Sequence, residues 1–256
     1  MQSENPIQEL YSSKEEQKAR NDMWLMLQMC PIPPESLLPN LGLFLNSKNL
    51  SRILMMDFLY RQILGTHGVI MEFGTRWGQN IAHFAAQRGI YEPFNRHRKI
   101  IGFDTFEGFP SIDKKDNATA SFAYTGGLTT TPEYEKFLDG IMNLQEKDNP
   151  INHIKKYEIV KGDATKTIRP YLDSHVETIV SLAYFDFDIY KPTIDCLDAI
   201  WSRCVKGTVI AFDELCDSDS PGETSAFLEA VHSFIGSKVR LQRSQFTSRI
   251  SYFVVE

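Results

Sequence analysis

Between residues 68 and 215, short apolar runs rich in β-branched and aromatic residues alternate with helix-like segments. The runs are GVIMEFG (68–74), KIIGFD (99–104), YEIVKGD (157–163), TIVSLAYFDFD (178–188) and GTVIAFDEL (207–215). Helix-like stretches stand between or after them at 79–89, 164–173, 191–204 and 222–236. Near-continuous apolar strands separated by such segments predict a parallel sheet covered on both faces by helices. The last two runs, VRLQRS (239–244) and SRISYFVVE (248–256), break the rhythm. Residues 245–247 are too few for a crossover helix, so this pair must be an antiparallel hairpin. The expected fold class is α/β: a doubly wound, mostly parallel, seven-stranded sheet ending in an antiparallel hairpin.

Composition narrows what such a sheet can serve. The chain has 256 residues, 42% of them hydrophobic, which is one domain with an appendage. With 27 Lys+Arg against 33 Asp+Glu, the net charge is −6 and no basic run offers a footprint for nucleic acid. Residues 1–22 are polar and read as a mobile arm, without the apolar core of a signal peptide. No stretch reaches the roughly 20 apolar residues of a membrane span, so a cytoplasmic protein is expected. Residues 23–66 read as an interrupted helical cap, and 67–256 as the main domain with a lid insertion at 105–156. The apolar run 50–64 offers a surface for a homodimer. Cys30, Cys196, Cys204 and Cys216 form no C-x-x-C pair and have no histidine at ligand spacing, so zinc is not supported.

Ligands of open α/β sheets bind beyond the carboxyl ends of the strands. All five predicted parallel strands end in an acid. The first end, Glu72-Phe73-Gly74-Thr75-Arg76-Trp77-Gly78, runs through a turn into a helix. It is not the dinucleotide fingerprint, which needs glycines at 74, 76 and 79. A carboxylate two residues before the glycine suits a cationic ligand better than a pyrophosphate; the alternative is an ordinary capped turn. Asp104, at the second strand end, is positioned to accept from ribose hydroxyls, or to cap a helix. Gly162-Asp163 is open between an adenine contact and an N-cap.

Asp186-x-Asp188 and Asp213-Glu214 bring four carboxylates to adjacent strand ends. On an extended strand, residues i and i+2 point the same way. Carboxylates gathered in one pocket repel unless a hard cation such as Mg²⁺ joins them, and then a spare carboxylate can take a proton. The alternatives are protonated acids, ion pairs with Lys191 or Arg203, or solvation. His153 is the one histidine of the lid segment. Phe106, Phe109, Phe122 and Tyr124 line a pocket or, as the simpler reading, pack the segment onto the sheet.

With ExGxxxG at 72–78, an acid ending strand two and the terminal hairpin, the chain resembles the class I S-adenosylmethionine-dependent methyltransferases. FDTFEGFP (103–110), FDFDIYKPT (185–193) and VIAFDEL (209–215) resemble the macrocin, mycinamicin and novobiocin sugar O-methyltransferases, over roughly 68–256. The resemblance implies a Rossmann-like fold and transfer of a methyl group to a hydroxylated small-molecule acceptor, a sugar or a sugar-containing natural product. It implies Glu72, Gly74 and Gly78 around the methionine part of the cofactor, Asp104 at the ribose and Asp163 at the adenine. Thr75, Thr105, Gly162 and Asp186 complete the cofactor site. It further implies Asp186, Asp213 and Glu214 as Mg²⁺ ligands and Asp188 as general base. The chain departs from the pattern with Glu214 where the acidic pair is usually Asp-Asp, Phe187 where glycine is common, and CDSDSPGETSA after the pair. A metal-independent methyltransferase and an NAD(P)-binding oxidoreductase are the rivals; the second lacks its glycine fingerprint.

Overall fold

The computed structural model describes residues 12–116, 120–237 and 239–256. The chain divides into two compact units, Met1–Arg52 and Ile53–Glu256.

In the smaller unit, helix α1 (Lys14–Gln28) opens on a capping box: Ser13 Oγ accepts from Glu16 N at 3.2 Å, and Glu16 Oε2 accepts from Ser13 N at 2.7 Å. Residues 14–22 of the expected mobile arm are therefore helical, started by an S-x-x-E signature that the polar composition hides. Residues 1–11 of that arm lie outside the described residues. The proline cluster then confines the chain to a short helix α2 (Pro34–Leu37) and a 3₁₀ turn at Leu38–Phe44. Helix α3 (Ser47–Gln62) leads into the larger unit. Its apolar residues Met55, Met56, Leu59 and Tyr60, with Ile63 just beyond, are fully buried in the core of that unit. The run expected to supply a dimer surface thus spends this face inside the protein.

The sheet order is β3-β2-β1-β4-β5-β7-β6, formed by β1 (Val69–Phe73), β2 (Ile100–Asp104), β3 (Tyr157–Lys161), β4 (Val180–Phe185), β5 (Cys204–Phe212), β6 (Gln242–Arg243) and β7 (Ser251–Val254). β1 to β5 are parallel, and β7 runs antiparallel to both β5 and β6. The edge strand β6 pairs through two residues only, a length that leaves little edge open to foreign strands. Between the strands lie α4 (Gln79–Tyr91), α5 (Tyr134–Asp148), α6 (Ala164–Ser174), α7 (Tyr190–Trp201) and α8 (Pro221–Ala230). One core joins one face of the sheet to α6, α7 and α8; the other joins the opposite face to α3, α4 and α5. No described helix is long and apolar enough to cross a membrane.

One row of side chains fixes the height of the strand ends. Phe103, Phe73, Phe185 and Phe212 are register partners across β2, β1, β4 and β5. Their rings stack with centroids 5.1, 4.7 and 5.2 Å apart. Each such pair contributes about 0.5–1.5 kcal/mol beyond the area it buries. The next residue along three of these strands is an acid, Asp104, Asp186 or Asp213, falling to the opposite parity. The order of the strands reverses between β1 and β4, and these acids flank that point.

Candidate active site

On the β1–β3 side, each acid is held by its own surroundings. Glu72 is buried and its Oε1 accepts from Asn80 Nδ2 of α4 at 2.8 Å. Thr75, three residues on, is buried as well. Gly74 has φ +94°, and a Cβ there would sit 1.9 Å from the Asp186 carbonyl oxygen. Close approach of the β4 backbone therefore already demands this glycine, before any ligand is considered. Gly78, at φ +76°, begins α4, and a Cβ there would meet Leu138 Cδ1 of α5 at 2.2 Å. Asp104 braces two turns: Oδ2 accepts from Arg76 N at 2.7 Å and Oδ1 from Phe106 N at 2.6 Å. Burial pushes its carboxyl above the usual range, against the pull of those two amides. No helix follows it directly, so the helix-cap alternative gives way to this bracing role.

Thr105 turns back on its loop and donates from Oγ1 to Gly108 O at 2.6 Å. Asp163 caps α6: its Oδ1 accepts from Thr165 N at 3.1 Å and from Thr165 Oγ1 at 2.7 Å, and Oδ2 pairs with Lys166 at 3.0 Å. Burial would raise its pKa, but these partners hold it below the ordinary value. Gly162, just before it, has φ +137°.

On the β4–β5 side the acids are gathered. Carboxylate oxygens of Asp186, Asp188 and Glu214 all lie within 4.8 Å of one another. Asp186 and Asp188 do not converge as i and i+2 of an extended strand. β4 ends at Phe185, and the chain turns so that Asp188 takes φ +61°. Asp213, expected among the metal ligands, stands outside this trio: its Oδ1 accepts from the Tyr184 hydroxyl. Of the two cations named as alternative partners for the cluster, Lys191 pairs with Asp195 and Arg203 donates to the carbonyls of Val176 and Leu172.

Two residues that sequence reasoning missed complete this side. Glu223, in the first turn of α8, is fully buried. Its Oε1 accepts from Phe187 N at 2.9 Å and Asp188 N at 3.3 Å, and its Oε2 from Glu214 N at 3.1 Å. One carboxylate thus holds the strained Asp188 turn to the end of β5. Arg249, in the turn of the hairpin, donates from Nη2 to Glu214 Oε1, and its Nε lies 3.7 Å from Asp217 Oδ2. Burial pushes the Asp188 carboxyl up to about 6, against Arg249 and with Asp213. Burial, then neighbouring acids, also raises Glu214 and Glu223. Burial opposes the charge on Arg249, but Glu214, Asp213, Asp188 and Asp186 together hold its pKa above the ordinary value.

The donor set fits a hard divalent cation. All its atoms are carboxylate oxygens, and among the described residues Glu214 Oε2 is buried with no hydrogen-bond partner.

The insertion docks on the same side. Asp116 Oδ1 accepts from Tyr190 N at 2.7 Å, two residues past Asp188, and Lys115 Nζ pairs with Glu229 of α8 at 2.5 Å. A Cβ on Gly222 would lie 2.3 Å from Asp116 Oδ1, so glycine is what admits the loop there. Phe106, Phe109 and Phe122 are buried, as the packing reading expected, while Tyr124 is exposed. His153 is exposed beyond α5.

No protein-family model matches the chain, and no curated protein matches it by sequence. Solved structures do. The crystal structure of CalS11, a calicheamicin methyltransferase, superposes with a TM-score of 0.91 at 35% identity, covering 99% of this chain and 98% of that one. The apo structure of CalS11, described as a TDP-rhamnose 3'-O-methyltransferase of calicheamicin biosynthesis, gives 0.82 at 34%, covering 98% and 99%. The O-methyltransferase NovP shares the fold, with a TM-score of 0.60 at 15% identity over 80% of this chain and 79% of that one. The doubly wound sheet and terminal hairpin define a Rossmann-like methyltransferase fold. The chain belongs, with CalS11, to the class I S-adenosylmethionine-dependent sugar O-methyltransferases. The oxidoreductase rival is thereby set aside.

Proposed function

We propose that this methyltransferase acts on a hydroxyl of a sugar carried on a nucleoside diphosphate, with Asp188 as general base and with Asp186 and Glu214 as the residues that would hold a divalent cation. The observation that carries the reading is the convergence of Asp186, Asp188 and Glu214 beside the point where strand order reverses. The acceptor class is supported by the activity named for CalS11, at 35% identity over nearly the whole of both chains.

The cosubstrate brings a methyl group already activated by positive sulfur. What remains for the protein is to align the acceptor oxygen, remove its proton and exclude water. Glu72 and Asp104 hold the cosubstrate on the β1–β2 side: Glu72 faces a cationic amino acid moiety, and Asp104 accepts from ribose hydroxyls. Gly74 and Gly78 shape the turn between them, with Thr75 and Thr105 in the flanking loops, and Gly162 and Asp163 border the adenine end. On the other side, Asp188 takes the hydroxyl proton. Its carboxylate has one oxygen within 4.8 Å of ligand atoms of both Asp186 and Glu214, so the proton leaves next to where the acceptor oxygen is held. A divalent cation, when bound, supplies Lewis acidity that lowers the pKa of that hydroxyl.

The test is incubation with S-adenosylmethionine and Mg²⁺ in the presence of TDP-rhamnose, free rhamnose or an alkyl rhamnoside, read by mass spectrometry. Methylation of the nucleotide sugar, lost in Asp188→Asn, is the expected result. Methylation of the glycoside alone would move the acceptor to a finished natural product.

A further inference from the structure

The carboxylates at the β4 and β5 ends face a cation supplied by the chain, Arg249, and the charge of Arg76 also acts on Asp188. Arg249 reaches Glu214 from the turn between β6 and β7, and its charge also interacts with Asp186, Asp188 and Asp213. A guanidinium cannot shed its proton, so its charge is a fixed part of the site. Glu214 is then addressed on one oxygen by Arg249 while the other is buried with no hydrogen-bond partner among the described residues.

The arginine is held unlike the structural arginines of the same protein. Arg98 is buried and donates to Glu92, Ser181 Oγ and the carbonyls of Ile63, Thr66 and Gly68. Arg88 likewise is buried against Glu146 and two carbonyls. The Arg249 side chain is one-third exposed and donates to Glu214, and among the described residues its Nε has no hydrogen-bond partner. A second seat lies beside it, because Asp217 Oδ2 is 3.7 Å from that Nε.

Resting on the metal-site reading above, we propose that Arg249 is a tethered counter-ion that competes with the divalent cation for Glu214. It pairs with Glu214 when no cation is bound and shifts towards Asp217 when one binds. Two cations on one buried carboxylate repel, so each weakens the other. The enzyme thereby holds its acids neutralised at low cation concentration, and the arginine sets the concentration at which the site fills.

Calorimetric titration of Mg²⁺, with thermal melting in its presence and absence, tests this on the wild type, Arg249→Met and Asp217→Asn. Arg249→Met keeps the length of the side chain and removes the charge, so it is expected to bind Mg²⁺ about tenfold more tightly than the wild type. It should also melt lower without Mg²⁺ and recover more on its addition. Asp217→Asn removes the second seat and is expected to shift Mg²⁺ affinity the opposite way, a result that stands even if Arg249→Met fails to fold. Equal or weaker Mg²⁺ binding by Arg249→Met overturns the competition while leaving the metal site intact. Absence of Mg²⁺ binding in all three proteins, with adenosylhomocysteine still bound, removes the metal site and the competition together.

Discussion

The two sides of the sheet handle carboxylates in opposite ways. At the ends of β1 to β3, Glu72, Asp104 and Asp163 stand apart, each hydrogen-bonded within the neighbouring turn or helix start. At the ends of β4 and β5, Asp186, Asp188 and Glu214 share a few ångströms, braced by Glu223 and faced by Arg249. A dispersed acid reads polar groups of a ligand one by one, whereas gathered acids need positive charge before they are stable together. The same fold thus builds a recognition surface on one side and a charged reaction site on the other. Gly74 is the seam, since its Cα lies against the Asp186 carbonyl.

Breaking the seam should have the largest effect. Gly74→Ala brings a Cβ into backbone at 1.9 Å and imposes φ +94° on an L-residue, so neither neighbour can yield cheaply. The expected cost is about 3 kcal/mol or more, seen as a lower melting temperature. A variant melting with the wild type would show that the two sides are not rigidly joined there.

Removing the brace should come next and separate the sides. Glu223→Ala leaves the amides of Phe187, Asp188 and Glu214 without their acceptor. Each unsatisfied buried group costs about 1–3 kcal/mol. The turnover number should fall by about 100-fold or more, while affinity for adenosylhomocysteine, read by calorimetry, stays within about twofold of the wild type. Glu223→Gln keeps one acceptor oxygen and should fall between. Equal loss of nucleoside binding would mean that Glu223 supports the whole sheet end rather than one side.

The smallest effect belongs to a control at the far end of the strands, where Glu92 binds Arg98, Tyr60 and Asn95. Burial would raise the Glu92 pKa, but these donors outweigh it and hold it below 4.5. A depressed acid contributes stability that is complete above its unfolded value and lost as pH falls through the folded one. Glu92→Gln should therefore be destabilised by about 1 kcal/mol near pH 7, with the difference from the wild type closing as pH falls below the ordinary glutamate value and through the depressed folded one. A difference that persists in acid would trace the effect to packing.

How much of this was legible follows the same division. The strand-end acids and the terminal hairpin are local features, visible in runs such as FDFD and in the short gap between the last two runs, although the connection expected at 245–247 spans 244–250 in the structure. The aromatic row was visible too, since Phe-Asp recurs at 103, 185 and 212 and Phe73 stands alike in β1, although only register shows that the rings stack. Arg249 was hidden because it meets Glu214 35 residues away in the chain, and Glu223 because two of its three amide partners lie 35 and 36 residues away. Glu223 looks like an ordinary acid in a first helical turn, and Arg249 falls in the run 248–256 that reads as a strand, whereas β7 begins only at Ser251. Convergence of Asp186 and Asp188 was expected for the wrong reason: a left-handed turn, not strand periodicity, brings them together. The buried face of α3 was legible as the helical spacing 55, 56, 59, 60 and 63, which marks an inward stripe as readily as a dimer surface.

The division between the sides is tested most directly by titrating adenosylhomocysteine and Mg²⁺ separately into Asp104→Asn and Asp186→Asn. The account predicts that Asp104→Asn loses about tenfold or more in nucleoside affinity and keeps its Mg²⁺ binding. Asp186→Asn should lose Mg²⁺ and keep most of its nucleoside affinity. Loss of both ligands in both variants would contradict it, because the acids would then form a single site rather than two.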